Sequence, residues 1–141
     1  MSTVLVGLDD SETSRLAFRE AVREAAWRNA RVIALHVAQY PVVTGFEPQS
    51  YIPDMMKSAE AFMERELATL IEGCGDSGVE VTGEVRAGHP GVQLVEMAED
   101  TGDGPAELVV LGSRGLGGFR GVMLGSVSTY AVHHVKCPLL I

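Results

Sequence analysis

Leu108-Val109-Val110-Leu111-Gly112-Ser113-Arg114-Gly115-Leu116-Gly117-Gly118-Phe119-Arg120-Gly121-Val122-Met123-Leu124-Gly125-Ser126 is the stretch on which the fold turns. Four consecutive apolar residues running into glycine have the length and composition of a strand covered on both faces. The strand opens into a glycine-rich segment, and Val127 to His134 then reads as a helix. A loop of this kind brings backbone N–H groups together with a helix N-terminus, which makes a cradle for an anion. Glycine lets the backbone approach a ligand that any Cβ would hold off, and phosphate is the anion this favours.

Two familiar phosphate loops are excluded. A Walker A loop ends in Gly-Lys-Ser/Thr, and both lysines of the chain, Lys57 and Lys136, lie outside the segment. A dinucleotide fingerprint starting at Gly115 and Gly117 would have Arg120 where its third glycine belongs. It would also sit on a first βα turn, whereas this loop follows a late strand. The plainer reading is a flexible surface connection. Loops this long are usually functional or disordered, and Leu116, Phe119, Val122, Met123 and Leu124 argue against disorder.

Outward from the loop, apolar runs alternate with helical stripes along the whole chain. Val4 to Leu8 reads as a first strand, and Ser11 can cap a helix in which Ala17, Phe18, Ala21, Val22 and Ala25 share one face. Arg31 to Val37 is a second strand. A helix from about Asp54 carries Met55, Met56, Ala59, Phe62, Met63, Leu67, Leu70 and Ile71 as a core stripe, with a glycine stop at Gly73-Cys74-Gly75. Val79 to Arg86 is a third strand, Pro90 opens a helix carrying Leu94, Val95 and Ala98, Glu107 to Leu111 is the fourth strand, and Pro138 to Ile141 the fifth. Gln39 to Pro53, with three prolines, is an irregular connection that could cover a site or merely join two elements.

Strand–helix alternation of this kind specifies an α/β fold, a doubly wound five-stranded parallel sheet of order 3-2-1-4-5 with helices on both faces. The order reverses between strands one and four, and ligands of such sheets bind outside the carboxyl ends at that point. Asp9-Asp10-Ser11 and the glycine loop would face each other there. This convergence is the strongest physical pointer to a site.

At 141 residues, residues 1–141 are expected to form one domain with a sizeable core. Hydrophobic residues make up 46 %, which excludes disorder, and no apolar run approaches a membrane span. Met1-Ser2-Thr3 leads straight into a strand, so no signal peptide is expected. Cys74 and Cys137 form no C-x-x-C pair, and a reduced cytoplasmic setting fits best. A net charge of −8 repels nucleic acid and anionic lipid, while loop dipoles with Arg114 and Arg120 could offset it locally for a nucleotide. His133-His134 lack partners at metal-ligand spacing, so no metal site is read in the protein itself.

Val6-Gly7-Leu8-Asp9-Asp10-Ser11, Leu35-His36-Val37, Gly88-His89-Pro90, Gly112-x-x-Gly115 followed after nine intervening residues by Gly125-Ser126, and Cys137-Pro138-Leu139-Leu140 fall in an order that resembles the universal stress protein family. The likeness runs nearly the whole length, and the loop motif is its specific part. It implies a Rossmann-like fold of the adenine nucleotide alpha hydrolase type and membership of the family's ATP-binding class. By the resemblance, Asp9 would contact the ribose or adenine end, and Val37 would offer its backbone to the adenine edge. Gly112 and Gly115 would let the backbone wrap the phosphates, while Gly125, Ser126 and Val127 would present N–H groups and a hydroxyl. Magnesium would arrive with the phosphates of ATP. Asp10 stands where many members have glycine and adds a negative charge near the ribose. A homodimer through the last strand is implied as well, and Leu139-Leu140-Ile141 at a sheet edge would template it.

The residues also admit duller roles. Asp9 could cap the first helix and Ser126 the last, His36 reads as a satisfied core histidine, and Arg114 and Arg120 could be solvated. The function these readings support is an adenine-nucleotide-binding stress or signalling module without catalytic residues. A slow ATPase or phosphotransferase lacks its lysine and base. A nucleotide-free dimerisation or chaperone-like protein would make the glycine loop purely structural.

Overall fold

The computed structural model describes residues 1–39, 52–114 and 124–141. Its strands are β1 (Thr3–Gly7), β2 (Arg31–Ala38), β3 (Val81–Ala87), β4 (Leu108–Val110) and β5 (Leu139–Leu140), and its helices α1 (Glu12–Arg28), α2 (Ile52–Gly73), α3 (Pro90–Glu99) and α4 (Ser126–His134). The five strands form one sheet in the order β3-β2-β1-β4-β5, every neighbouring pair parallel. The expected architecture is therefore the observed one.

Side chains of a strand alternate between faces, so each buried run serves two layers. Val4 and Val6 of β1 and Leu8 just beyond it pack with Phe18, Ala21 and Ala25 of α1 and Met63 and Leu70 of α2. Leu5 joins Ile33, Leu35, Val109 and Leu111 against Leu94 and Met97 of α3 and Ala131 of α4. Strands buried on both sides need no polar alternation, which is why β1 and β2 are nearly continuous apolar runs. β1 lies between β2 and β4, with Val4 in register with Val32 on one side and Leu108 on the other.

Ends and edges depart from the sequence reading. Val79 and Glu80 lie outside β3, and β4 and β5 are shorter than predicted, because a residue joins a ladder only where its neighbour offers partners. Ile71 is 41 % exposed rather than core. Its helix packs over β2 and β3 at the margin of the sheet, where only part of the stripe finds cover. The glycine stop holds: Cys74 N–H donates to Leu70 O at 3.2 Å and Gly75 follows with φ +66°. Among the described residues no helix is long and apolar enough to cross a membrane.

Candidate functional site

Three elements reach the carboxyl edge of the sheet side by side. At the end of β1, Leu8 N–H still bonds Leu35 O at 2.8 Å, and then the chain turns sharply. Asp9 Oδ1 accepts from the amide of Ser11 at 3.0 Å and from its hydroxyl. Ser11 Oγ in turn accepts from Ser14 N–H at 3.1 Å and caps α1, as predicted. Ser14 Oγ donates back to Ser11 O at 3.0 Å. Asp10, between them, sits at φ +65°, a region that L residues seldom occupy. Asp9 therefore supports the cap rather than being it, and its Oδ2 has no hydrogen-bond partner among the described residues.

On β2, His36 Nδ1–H donates to Leu8 O at 2.7 Å, and its ring lies 4.5 Å from that of Phe62. His36 is thus satisfied, as expected, though half-buried rather than core, and its carbonyl acceptor requires a proton on Nδ1. It also has a consequence for Val37. In a parallel strand a residue's N–H and C=O point to the same side, and residues two apart share that side. Leu35 faces β1, so Val37 does too, at a level where β1 has turned away and the last carbonyl, Leu8 O, is taken by His36. Its backbone groups have no partner on that side among the described residues.

β4 delivers Gly112, whose missing Cβ is required by packing. A Cβ there would come 2.7 Å from the backbone carbon of Thr13 and 2.9 Å from Ser14 N. Ser128 Oγ donates to Gly112 O at 2.7 Å, and Thr13 Oγ1 donates to Arg114 O. The far end of the loop returns through Gly125, whose N–H donates to Ser113 O at 2.7 Å. The assignment of Ser126 as N-cap is corrected: Gly125 is the cap residue of α4, without a side-chain bond, and Ser126 is the first helical residue. Backbone geometry decides this, because Gly125 is extended at φ −65°, ψ 168° while its carbonyl already accepts from Thr129 N–H at 2.9 Å. Ser126 is exposed and Val127 half-buried. Gly115 and Arg120 lie outside the described residues.

The structure thus brings Asp9, Val37, Gly112, Gly125, Ser126 and Val127 to one edge of three adjacent strands. Thr13, Ser14, Ser128 and Arg15 escaped the sequence reading, although the run Ser11-Glu12-Thr13-Ser14 is rich in capping residues. Arg15 carries the charge of the region: its Nη2 donates to Asp10 Oδ1 at 2.5 Å and its Nε to Glu66 Oε1 at 2.8 Å. These carboxylates, Glu66 foremost, push the guanidinium pKa above its ordinary value. The negative charge of Asp10 is accordingly paired. Among the described residues no three His, Cys, Asp or Glu side chains cluster closely enough to hold a metal ion.

The universal stress protein family model matches residues 1–141, and the chain belongs to that family. It is 29 % identical to universal stress protein Sll1388 of Synechocystis, covering 98 % of this chain and 95 % of that one. It is 36 % identical to universal stress protein Rv2623 of Mycobacterium tuberculosis over 98 % of its own length, but spans only 44 % of that protein. Its fold matches the universal stress protein UspA from Lactobacillus plantarum with a TM-score of 0.80 at 23 % identity, covering 99 % of this chain and 95 % of that one. A universal stress protein solved in complex with cAMP matches with a TM-score of 0.72 at 27 % identity, over 99 % and 95 % of the two chains.

Proposed function

We propose that the chain is an adenine-nucleotide-binding module acting in a stress response or in signalling, with ATP and its magnesium as the ligand. One observation carries this reading. The backbone of Val37, Asp9 Oδ2 and the first amides of α4, all without partners among the described residues, stand at the ends of β2, β1 and β4, three consecutive strands of the sheet. Neighbouring strands lie about 4.8 Å apart, so the three features span roughly 10 Å, the reach of a nucleotide from base edge to phosphate. Val37 would pair with the adenine edge and Asp9 with ribose hydroxyls. Gly112, Gly115 and Gly125 would let the backbone close on the phosphates, and Ser126 and Val127 would offer backbone donors, the Gly125 N–H being held by Ser113 O. The relative solved with cAMP supports an adenine nucleotide as the ligand class.

Binding rather than turnover is the expected activity. Neither lysine is placed to serve a phosphate at the loop by sequence, and Lys136, beyond the far end of α4, pairs with Glu99 at 2.7 Å. Without a positioned cation or base the transition state gains little over the bound ground state. Release of nucleotide from the denatured protein, identified by mass spectrometry, tests the ligand. Multiple turnover at about 1 per second or faster would replace the binding module with an enzyme.

The same reading includes a homodimer through β5, the edge strand in which Leu139 and Leu140 are half-buried and Ile141 is 43 % exposed. An apolar strand edge invites pairing with a second copy. Sedimentation showing only monomer at micromolar concentration would remove the dimer and leave the nucleotide site standing.

A further inference from the structure

We infer that Arg15 is a positioning residue for the nucleotide site: by gripping Asp10 in its left-handed conformation it fixes the carboxylate of Asp9. Asp10 is at φ +65°, one of two non-glycine residues with positive φ among those described. The other, Asn29, closes α1, a place where left-handed asparagine is common. Asp10 closes no helix: it stands in the turn between β1 and α1, directly after Asp9. Left-handed backbone crowds Cβ against the following carbonyl and persists only where the surroundings enforce it.

The enforcing group is the guanidinium of Arg15. Its Nη2 donates to Asp10 Oδ1 at 2.5 Å and to Asp10 O at 3.3 Å, so side chain and backbone of one residue are held by one nitrogen. Its Nε donates to Glu66 Oε1 at 2.8 Å, and that carboxylate is only 14 % exposed on α2. A half-buried anion on a neighbouring helix thus anchors the arginine, and the arginine anchors the turn. Asp9 is tied across the same turn, because its Oδ1 accepts from Ser11 N–H at 3.0 Å on the far side of Asp10. If Asp10 relaxes to ordinary backbone angles, this bond breaks and Asp9 swings. The grip leaves Asp9 Oδ2 without a partner among the described residues.

The inference rests on the nucleotide reading for its effect on affinity, and its conformational half stands without it. In Arg15→Met, MgATP affinity by titration calorimetry should fall about tenfold. Asp10→Gly added to Arg15→Met should restore it, because glycine occupies the left-handed region unaided. Asp10→Ala added to Arg15→Met should not. That last pair separates positioning from charge, since both second substitutions remove the carboxylate that Arg15 neutralises. Equal rescue by glycine and alanine would overturn the inference in favour of electrostatics. Failure of glycine to rescue would overturn it in favour of direct contact between Arg15 and ligand. The ligand-free arm is nuclear magnetic resonance of Asp10, where the strong intraresidue Hα–HN cross-peak of positive φ should vanish in Arg15→Met. Its persistence would overturn the inference even if nucleotide binds, whereas a wild-type protein that binds no nucleotide would sink only the functional reading.

Discussion

Two neighbouring parallel strands end at the same edge of the sheet, and the helices that follow them begin in opposite ways. After β1 the polar groups of the turn, Asp9 Oδ2 apart, are consumed internally: Ser11 Oγ accepts from Ser14 N–H, Asp9 Oδ1 holds Ser11, and Ser14 closes back on Ser11 O. After β4 the helix starts from Gly125, which has no side chain to offer its amides. α3 resembles the first case, with His89 Nδ1 accepting from Val92 N–H at 3.2 Å. A helix N-terminus leaves several N–H groups without partners, and each must be satisfied by a cap, water or a ligand. The β1 turn is a finished wall, and the β4 turn an open set of donors beside it. Thr13 Oγ1 on Arg114 O and the close approach of Gly112 to the Thr13 backbone hold the two against each other.

The largest effect should come from the contact between the two turns. Gly112→Val drives side-chain atoms into the backbone of Thr13, and overpacking against a rigid neighbour costs about 3 kcal/mol. Chemical denaturation should register that loss, and an unchanged midpoint would mean that the turns are not in contact. Gly125→Val should do the reverse. At φ −65° any residue is accepted, so the fold should survive by circular dichroism, while two lost amide contacts weaken MgATP binding by about 2 kcal/mol. Gly115→Val is expected to behave likewise, and Arg114→Ala to change affinity far less.

A matched pair of serines sharpens the contrast. Ser11→Ala removes a working cap and should lower stability by about 1 kcal/mol. Ser126→Ala should leave stability alone and cost on the order of 1 kcal/mol in binding, about fivefold in Kd. Equal destabilisation by both would show that the two helices begin alike after all. The smallest effect belongs to the opposite end of the sheet, where hydrogen bonds from Ser2 and then Arg28 hold the Glu107 carboxyl below its ordinary pKa. A depressed carboxyl contributes stability above its unfolded pKa and loses it as pH falls through the folded value. Glu107→Gln should therefore slightly flatten the acid limb of a stability–pH profile and leave nucleotide affinity unchanged. A change in affinity would mean that the site extends far beyond the carboxyl edge.

The run Gly112 to Ser126 was marked from sequence by its repeated glycine flanked by apolar residues, and Asp9-Asp10-Ser11 by the strand order that sets it opposite that run, the ligand role of Asp9 itself resting on resemblance. Val37 stood on resemblance alone until the register supplied a physical reason. Thr13 and Ser128 were not marked because their partners lie on other elements, Thr13 and Arg114 being 101 residues apart, and the anchor of Arg15, Glu66, lies on α2. Ser126 was misplaced by one position because cap preference ranks residue types, while the backbone angles of Gly125 decide the boundary.

The sequence by itself determined the alternation of elements, the two-sided burial of β1 and β2, and hence the parallel sheet with its reversal of order, because apolar periodicity and length are local properties. It also determined the cap at Ser11, a matter of a few adjacent residues. Only the tertiary structure decided that Gly112 is needed by Thr13, that His36 takes the Leu8 carbonyl and so opens Val37, and that Glu66 reaches across from α2 to hold Arg15 on Asp10. Each of these is a contact between segments that no local pattern relates, so it exists only once packing has fixed distance and direction together.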